Sequence, residues 1–388
     1  MNAKQRILFV SHAATRNGAT ILLLHLLRWL RDHTDYQLEM LVNGNGDLIS
    51  EFQSIGRTTI CHNTDRLFAS NSRSAARSTL ESQLLKWQMV GRSYDLVYFN
   101  TSAVASHVPA LARLADNMLW HIHELEYALR NTMNDEQIHQ LFPLATRFIV
   151  VSNSVRDMLV QEFNVPSNKV DWVPNFVPLP NVSTEESQSR RREIRKKLDW
   201  PQDAFVVGGC GGLGWRKGTD LFLQVAQAML SSTGQGRTRF LWVGGGSADE
   251  ALRFEHDIRS FGLGQLCKNV PTRAAVTDYY YAMDIFALTS REDPFPLVML
   301  EAAACNLPIV CFDRSGGGPE FVAQDAGLIA PYLDVPIFAS CLDRFRESPE
   351  LRRKCGSAAA QKVRTHHTLE TQGPQMLESI NHCLAGGR

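Results

Sequence analysis

Short β-branched and apolar runs recur along this 388-residue chain with helix-length amphipathic stretches between many of them, and that alternation limits the fold more than any other feature. Strands joined by helical crossovers form parallel sheets with helices on their faces. The first half predicts strands at residues 6–11 (RILFVS), 36–43, 58–63, 94–100, 118–124 and 147–152. The pattern then restarts, with strands at 204–209, 239–245, 284–290 and 308–313. One hydrophobic core rarely serves a chain of this length, so two doubly wound α/β domains are expected. Between the halves lies NVSTEESQSRRREIRKKLDWPQ, which reads as a linker followed by a charged surface helix. The expected division is therefore 1–185 and 186–368, with a terminal helix over 369–388 whose docking the sequence leaves open.

Charge excludes one class of partner. Lysine plus arginine equals aspartate plus glutamate at 40 each, so no global field gathers nucleic acid. The eight cysteines are scattered, with no C-x-x-C and no Cys/His group at zinc spacing, which points to a reducing compartment and to no metal site. Residues 1–10 enter a strand pattern directly, without the apolar core of a signal peptide. The longest apolar run, ILLLHLLRWL at 21–30, is about half of the ~20 residues that span a bilayer. A cytoplasmic protein is expected. That run fits a helix buried against its sheet, with a membrane-surface helix at the inner membrane face as the alternative.

Three stretches carry candidate chemistry. GGCGGLGWRKGTD, from 208, follows a strand and opens a helix; Gly209, Gly211 and Gly214 match a dinucleotide fingerprint literally, but no acid ends a following strand at the right distance. What remains is a glycine-rich loop that brings Arg216 and Lys217 to a helix start, a setting suited to a diphosphate. WHIHE, at 120–124, ends a strand with two histidines, of which only one, His123, is expected to face a ligand. REDPFPLVMLEAAACNLPIVCFD, from 291, places Asp293 in a loop and Glu301 on an apolar helix. A buried carboxylate needs a partner, and hydroxyl groups of a sugar or ribose would serve Glu301.

Taken in order, VPNFV (173–177), WRKGTDLFLQVA, RFLWVGGG and the long segment from YYYAMDIF through GGGPEFV resemble the retaining glycosyltransferases of family 4. That resemblance implies the GT-B fold of two facing Rossmann-like domains, and transfer of a sugar from a nucleotide-sugar donor to a glycan or lipid-linked acceptor. No cofactor and no metal would be required, since no D-x-D occurs. The family's paired acids fall on Asp293, toward the donor sugar, and Glu301, toward the ribose. Its diphosphate lysine falls on Lys217, its loop glycine on Gly18 and its strand-end histidine on His123. The chain departs from the family in three ways. Aspartate stands at 293 for glutamate, and Gly212 stands where an arginine is usual, with Arg216 as the substitute. Pro294 and Pro296 replace glycines, which leaves the amides of Phe295 and Leu297 for phosphate. A nucleotide-sugar epimerase of the same fold and a non-catalytic sugar-nucleotide binder are the alternatives.

Overall fold

The computed structural model describes residues 4–61, 83–233, 236–271 and 276–386. The chain divides into two compact units, one made of Met1–Asn175 with Leu369–Arg388 and the other of Phe176–Thr368. In the first, seven parallel strands lie in the order β3-β2-β1-β4-β5-β6-β7. They are β1 (Arg6–Ser11), β2 (Gln37–Asn43), β3 (Arg57–Cys61), β4 (Leu96–Asn100), β5 (Met118–Ile122), β6 (Arg147–Val150) and β7 (Val170–Trp172). β4 and β5 are buried at every residue, as strands covered on both faces must be. The helix Gly18–His33 starts at Asn17, whose side chain accepts the Thr20 amide at 3.1 Å. Its leucines 22, 23, 24, 26, 27 and 30 are buried, so the apolar run at 21–30 is core.

The second unit holds six parallel strands in the order β10-β9-β8-β11-β12-β13. These are β8 (Phe205–Cys210), β9 (Thr238–Val243), β10 (Cys267–Val270), β11 (Ile285–Leu288), β12 (Ile309–Phe312) and β13 (Gly327–Ala330). All ten expected strands are present, with shifted ends. Three more, β7, β10 and β13, lie outside the expected set. Each sits at or next to a sheet edge and has only three or four residues, too few for a period to show.

The expected boundary needs correction, and the open docking of the terminal helix is answered. The units part at Asn175 and Phe176 rather than at 185, because Phe176 and Val177 are already buried and the Val177 amide donates to the His367 carbonyl at 3.0 Å. The terminal helix Leu369–Ala385 belongs to the first unit, packed on the Gly18–His33 helix. Gly373 makes that packing close: a Cβ there would stand 2.6 Å from the Trp29 indole. The hydroxyl of Tyr36 also donates to Asn381 on the terminal helix.

The charged helix, Thr184–Lys197, is not merely a solvated surface element. Ser183 and Glu186 form its capping box, and Arg195 on its inner side is 0% exposed. The Arg195 guanidinium donates to the carbonyls of Ala282, Gln202 and Ala204 and to the Asp284 carboxylate at 2.8 Å, so every face of the buried charge is answered. Asp284 in turn accepts the Val206 amide at 2.8 Å, which ties the helix to β8. Removing one partner from such a network leaves buried groups unpaired. Arg195→Leu should therefore cost about 3 kcal/mol in urea denaturation, whereas Arg192→Ala on the exposed side of the same helix should stay within about 0.5 kcal/mol.

Candidate functional site

Strand order in the second unit reverses between β8 and β11, and in open parallel sheets ligands bind beyond the strand ends at such a point. The loop leaving β8 carries Arg216 and Lys217, and the loop leaving β11 carries Asp293. A tight turn over Trp215–Lys217 is closed by Gly218 at φ 64°, where a Cβ would lie 2.0 Å from the Thr289 carbonyl oxygen. Only glycine permits that approach. The Thr289 hydroxyl donates to the Lys217 carbonyl at 3.2 Å and fixes the same turn.

The two loops meet through their charges. Lys217 Nζ lies 2.5 Å from Asp293 Oδ2, the Ser290 hydroxyl donates to that oxygen at 3.1 Å, and Arg216 Nη1 lies 3.4 Å from Asp293 Oδ1. Arg216 also donates to the Glu292 carbonyl at 3.1 Å. Asp293 is 5% exposed and its backbone is held too, the amide on the Ser315 carbonyl at 2.7 Å and its own carbonyl by the Gly317 amide at 3.1 Å. Burial alone would raise its carboxyl, but Lys217 and Arg216 outweigh burial and hold it below the usual carboxylate range. The sequence places these three residues in the site. What it does not reveal is that the carboxylate is engaged with both cations.

Glu301 lies on the helix Leu297–Ala304. Its Oε2 accepts the Tyr280 hydroxyl at 2.8 Å, so the expected partner of this carboxylate exists within the protein. Burial raises the Glu301 carboxyl, with Tyr280 and Lys217 acting against it. Leu297 opens the helix, and the preceding Pro296 offers no side-chain cap to the first-turn N–H groups. The Phe295 ring turns inward against His367, with centroids 5.3 Å apart, so that residue presents backbone rather than ring. Sequence reasoning missed Arg291. Its guanidinium pairs with both oxygens of Asp220 at 2.7 and 2.6 Å and donates to the Trp215 carbonyl at 2.8 Å, which clasps the two loops together. An acid in the first turn of the helix at Thr219 was the available signal.

In the first unit the corresponding reversal falls between β1 and β4. His12 follows β1, Asn100 ends β4 and His123 follows β5. Asn100 donates through Nδ2 to the Ala19 carbonyl at 3.1 Å, which turns its Oδ1 toward His123 Nε2, also at 3.1 Å. Nε2 of His123 is therefore the donor and Nδ1 is left as an acceptor. Gly18 is the exposed first residue of its helix. Residues two apart on a strand share a face, and the rings of His121 and His123 lie 3.8 Å apart. His121 is the buried one, with Nδ1 2.6 Å from the Tyr98 hydroxyl.

Burial, followed by the charge on His12, pushes His123 down to about 3; burial and then His123 push His121 well below its ordinary value. A histidine kept neutral in the fold adds stability above its unfolded pKa, and that stability is lost as pH falls below about 6.5. The ring resonances of His121 and His123 should accordingly stay those of neutral imidazole from pH 8 to 5 in ¹⁵N spectra, while the protein becomes progressively easier to unfold over the lower half of that range.

Residues 190–362 match the pattern of glycosyl transferases group 1, and residues 16–180 that of glycosyltransferase family 4. A D-inositol 3-phosphate glycosyltransferase of Saccharomonospora viridis is 28% identical over 222 residues, 55% of this chain and 50% of that protein. An alpha-galactosylglucosyldiacylglycerol synthase of Streptococcus pneumoniae is 27% identical over 172 residues, 41% of this chain and 42% of that protein. These matches thus span about half the length of the curated relatives. Among solved structures, HepE of Anabaena in complex with UDP superposes with a TM-score of 0.77 at 19% identity, over 97% of this chain and 99% of that one. A sucrose-phosphate synthase of Thermosynechococcus elongatus gives 0.78 at 18% identity, over 98% and 100%. At such identities these two likenesses speak for the fold alone.

Proposed function

The chain belongs to the family 4 glycosyltransferases of the GT-B fold, and from that premise we propose that it moves a sugar from a nucleotide-sugar donor to an acceptor hydroxyl with retention of anomeric configuration. One observation supports this above the others: Lys217 and Arg216 converge with Asp293 at the point in the second sheet where strand order reverses. Departure of the nucleoside diphosphate is the demanding event, because negative charge grows on its phosphate oxygens. Two fixed cations beside the open first turn of the Leu297–Ala304 helix would stabilise that charge without reorganising at the moment of reaction. Asp293 has two roles in this reading. It holds the cations in place before the donor arrives, and it offers an acceptor to the sugar once phosphate takes a share of them.

His123, neutral and with Nδ1 left as an acceptor, suits a sugar hydroxyl rather than an anion. Within the second unit the amides of Phe295 and Leu297 join Lys217 and Arg216 as the proposed phosphate contacts, and Gly18 is the first unit's own candidate for one. Uridine is the first donor base to try, because the Anabaena structures hold UDP and UDP-glucose. The named relatives direct attention to glycan and lipid-linked acceptors, the latter reached by peripheral contact with a membrane. Among the described residues no helix is long and apolar enough to cross one.

A thermal-shift screen of UDP-, GDP-, ADP- and dTDP-sugars tests the donor class, since a ligand at 100 times its dissociation constant adds about 2.7 kcal/mol. Incubation with donor alone separates transfer from epimerisation, which would change the sugar's stereochemistry without an acceptor. Two substitutions then separate binding from chemistry. Lys217→Ala should weaken the nucleoside diphosphate by about tenfold or more in calorimetry. Asp293→Asn removes the competing charge, so it should bind the diphosphate a few-fold tighter and yet turn over more slowly. Unchanged affinity in both variants would rule out the phosphate assignment.

A further inference from the structure

The buried phenol of Tyr280 takes no part in the proposed transfer, and its surroundings give it a different task. Tyr280 lies on the helix Val276–Ala282 and is 0% exposed. A buried hydroxyl has one proton to give and needs a partner for it. That proton goes to Glu301 Oε2 at 2.8 Å. On its other side the hydroxyl faces the thiol of Cys210, the last residue of β8, which is itself buried. A carboxylate can only accept, so the phenol is the donor in this contact. Two helices, Val276–Ala282 and Leu297–Ala304, are thus joined by one directed contact that ends on Glu301, with Cys210 of β8 beside it.

We propose that Tyr280 is a positioning residue for nucleotide recognition: it pins Oε2 of Glu301 and aims the remaining acceptor positions of that carboxylate at the two hydroxyls of the donor's ribose. The inference rests on the reading of Glu301 as a ribose contact. A carboxylate bound at one oxygen by a rigid, fully buried partner has lost most of its rotational choice, and orientation of this kind is what lets two hydroxyls be met together. The same contact keeps Glu301 an acceptor. Its carboxyl is raised by burial and drawn back by Tyr280 and Lys217; the other titratable groups facing it are the thiols of Cys210 and Cys305, both raised by burial and therefore neutral. A protonated Glu301 would offer ribose a donor where an acceptor is needed. Loss of the phenol proton should therefore move the acidic limit of nucleotide binding to higher pH.

The test uses the full chain and calorimetry with UDP against 2′,3′-dideoxy-UDP; if UDP does not bind, GDP or ADP replaces it with the matching dideoxy compound. Wild type should prefer the ribose form by about tenfold or more, the weight of hydrogen bonds to a charged acceptor. Tyr280→Phe should remove most of that preference, leave the dideoxy affinity within about twofold, and raise the pH at which ribose affinity falls away. On a Glu301→Gln background the same change should have no further effect. Tyr280→Leu, which also lacks the hydroxyl, should act in the same direction, and it carries the test if Tyr280→Phe does not fold.

Equal losses for both nucleotides in Tyr280→Phe would make the phenol a packing residue and overturn the proposal. So would a retained preference with an unmoved pH limit. If Glu301→Gln itself keeps the ribose preference, the ribose contact lies elsewhere and the reading of Glu301 falls, taking the role of Tyr280 with it. Failure of every nucleoside diphosphate to bind would reject both together.

Discussion

The pairing of Lys217 with Asp293 is the contact on which the rest of the second unit's site depends. It joins side chains 76 positions apart in the chain, each carried on a loop that leaves the strand next to the point of reversal. The pair is largely withdrawn from water, where losing one member leaves the other costly. The surrounding structure protects it from several directions. Gly218 brings the β8 loop against Thr289, Gly211 leaves space beside the Lys217 stem, and Arg291 binds Asp220 while holding the Trp215 carbonyl. A site arranged in this way is assembled before any ligand arrives. In the proposed reading an anion enters by taking over part of an existing electrostatic contact, not by organising loose side chains.

The first unit offers contrasting chemistry at its own point of reversal. Around β1, β4 and β5 stand imidazoles, an amide and the Glu124 carboxylate, which accepts the amides of Ser102 and His123, and the orientation of His123 is set by Asn100, which is set in turn by a backbone carbonyl.

Much of this was legible in the sequence, because alternating strand and helix patterns are long-range regularities that survive local noise. The ten expected strands fall on both sheets. Residues 216, 217, 293 and 301 stood out because cations beside glycines and acids within apolar runs are expensive unless used. The unread parts have equally physical causes. Strands of three or four residues at sheet edges carry no period. Arg195 looked solvated because it sits among six other charged residues between 190 and 197, and its burial depends on carbonyls near 202 and 282 that no local pattern announces. Tyr280 read as one aromatic among three. Only the fold shows that its hydroxyl ends on Glu301.

The route of the chain has a consequence for how the protein is made. The first unit begins at the amino terminus and is finished by the helix Leu369–Ala385, so the whole second unit is an insertion in it. A ribosome working from the amino end releases all seven strands of the first sheet long before the helix that covers Trp29. Through that interval the Gly18–His33 helix has a bare flank in need of shelter. The inserted unit, by contrast, is continuous and can close on its own core as it emerges. The order of synthesis therefore favours completion of the phosphate-side unit first and makes the last helix the step that seals the other.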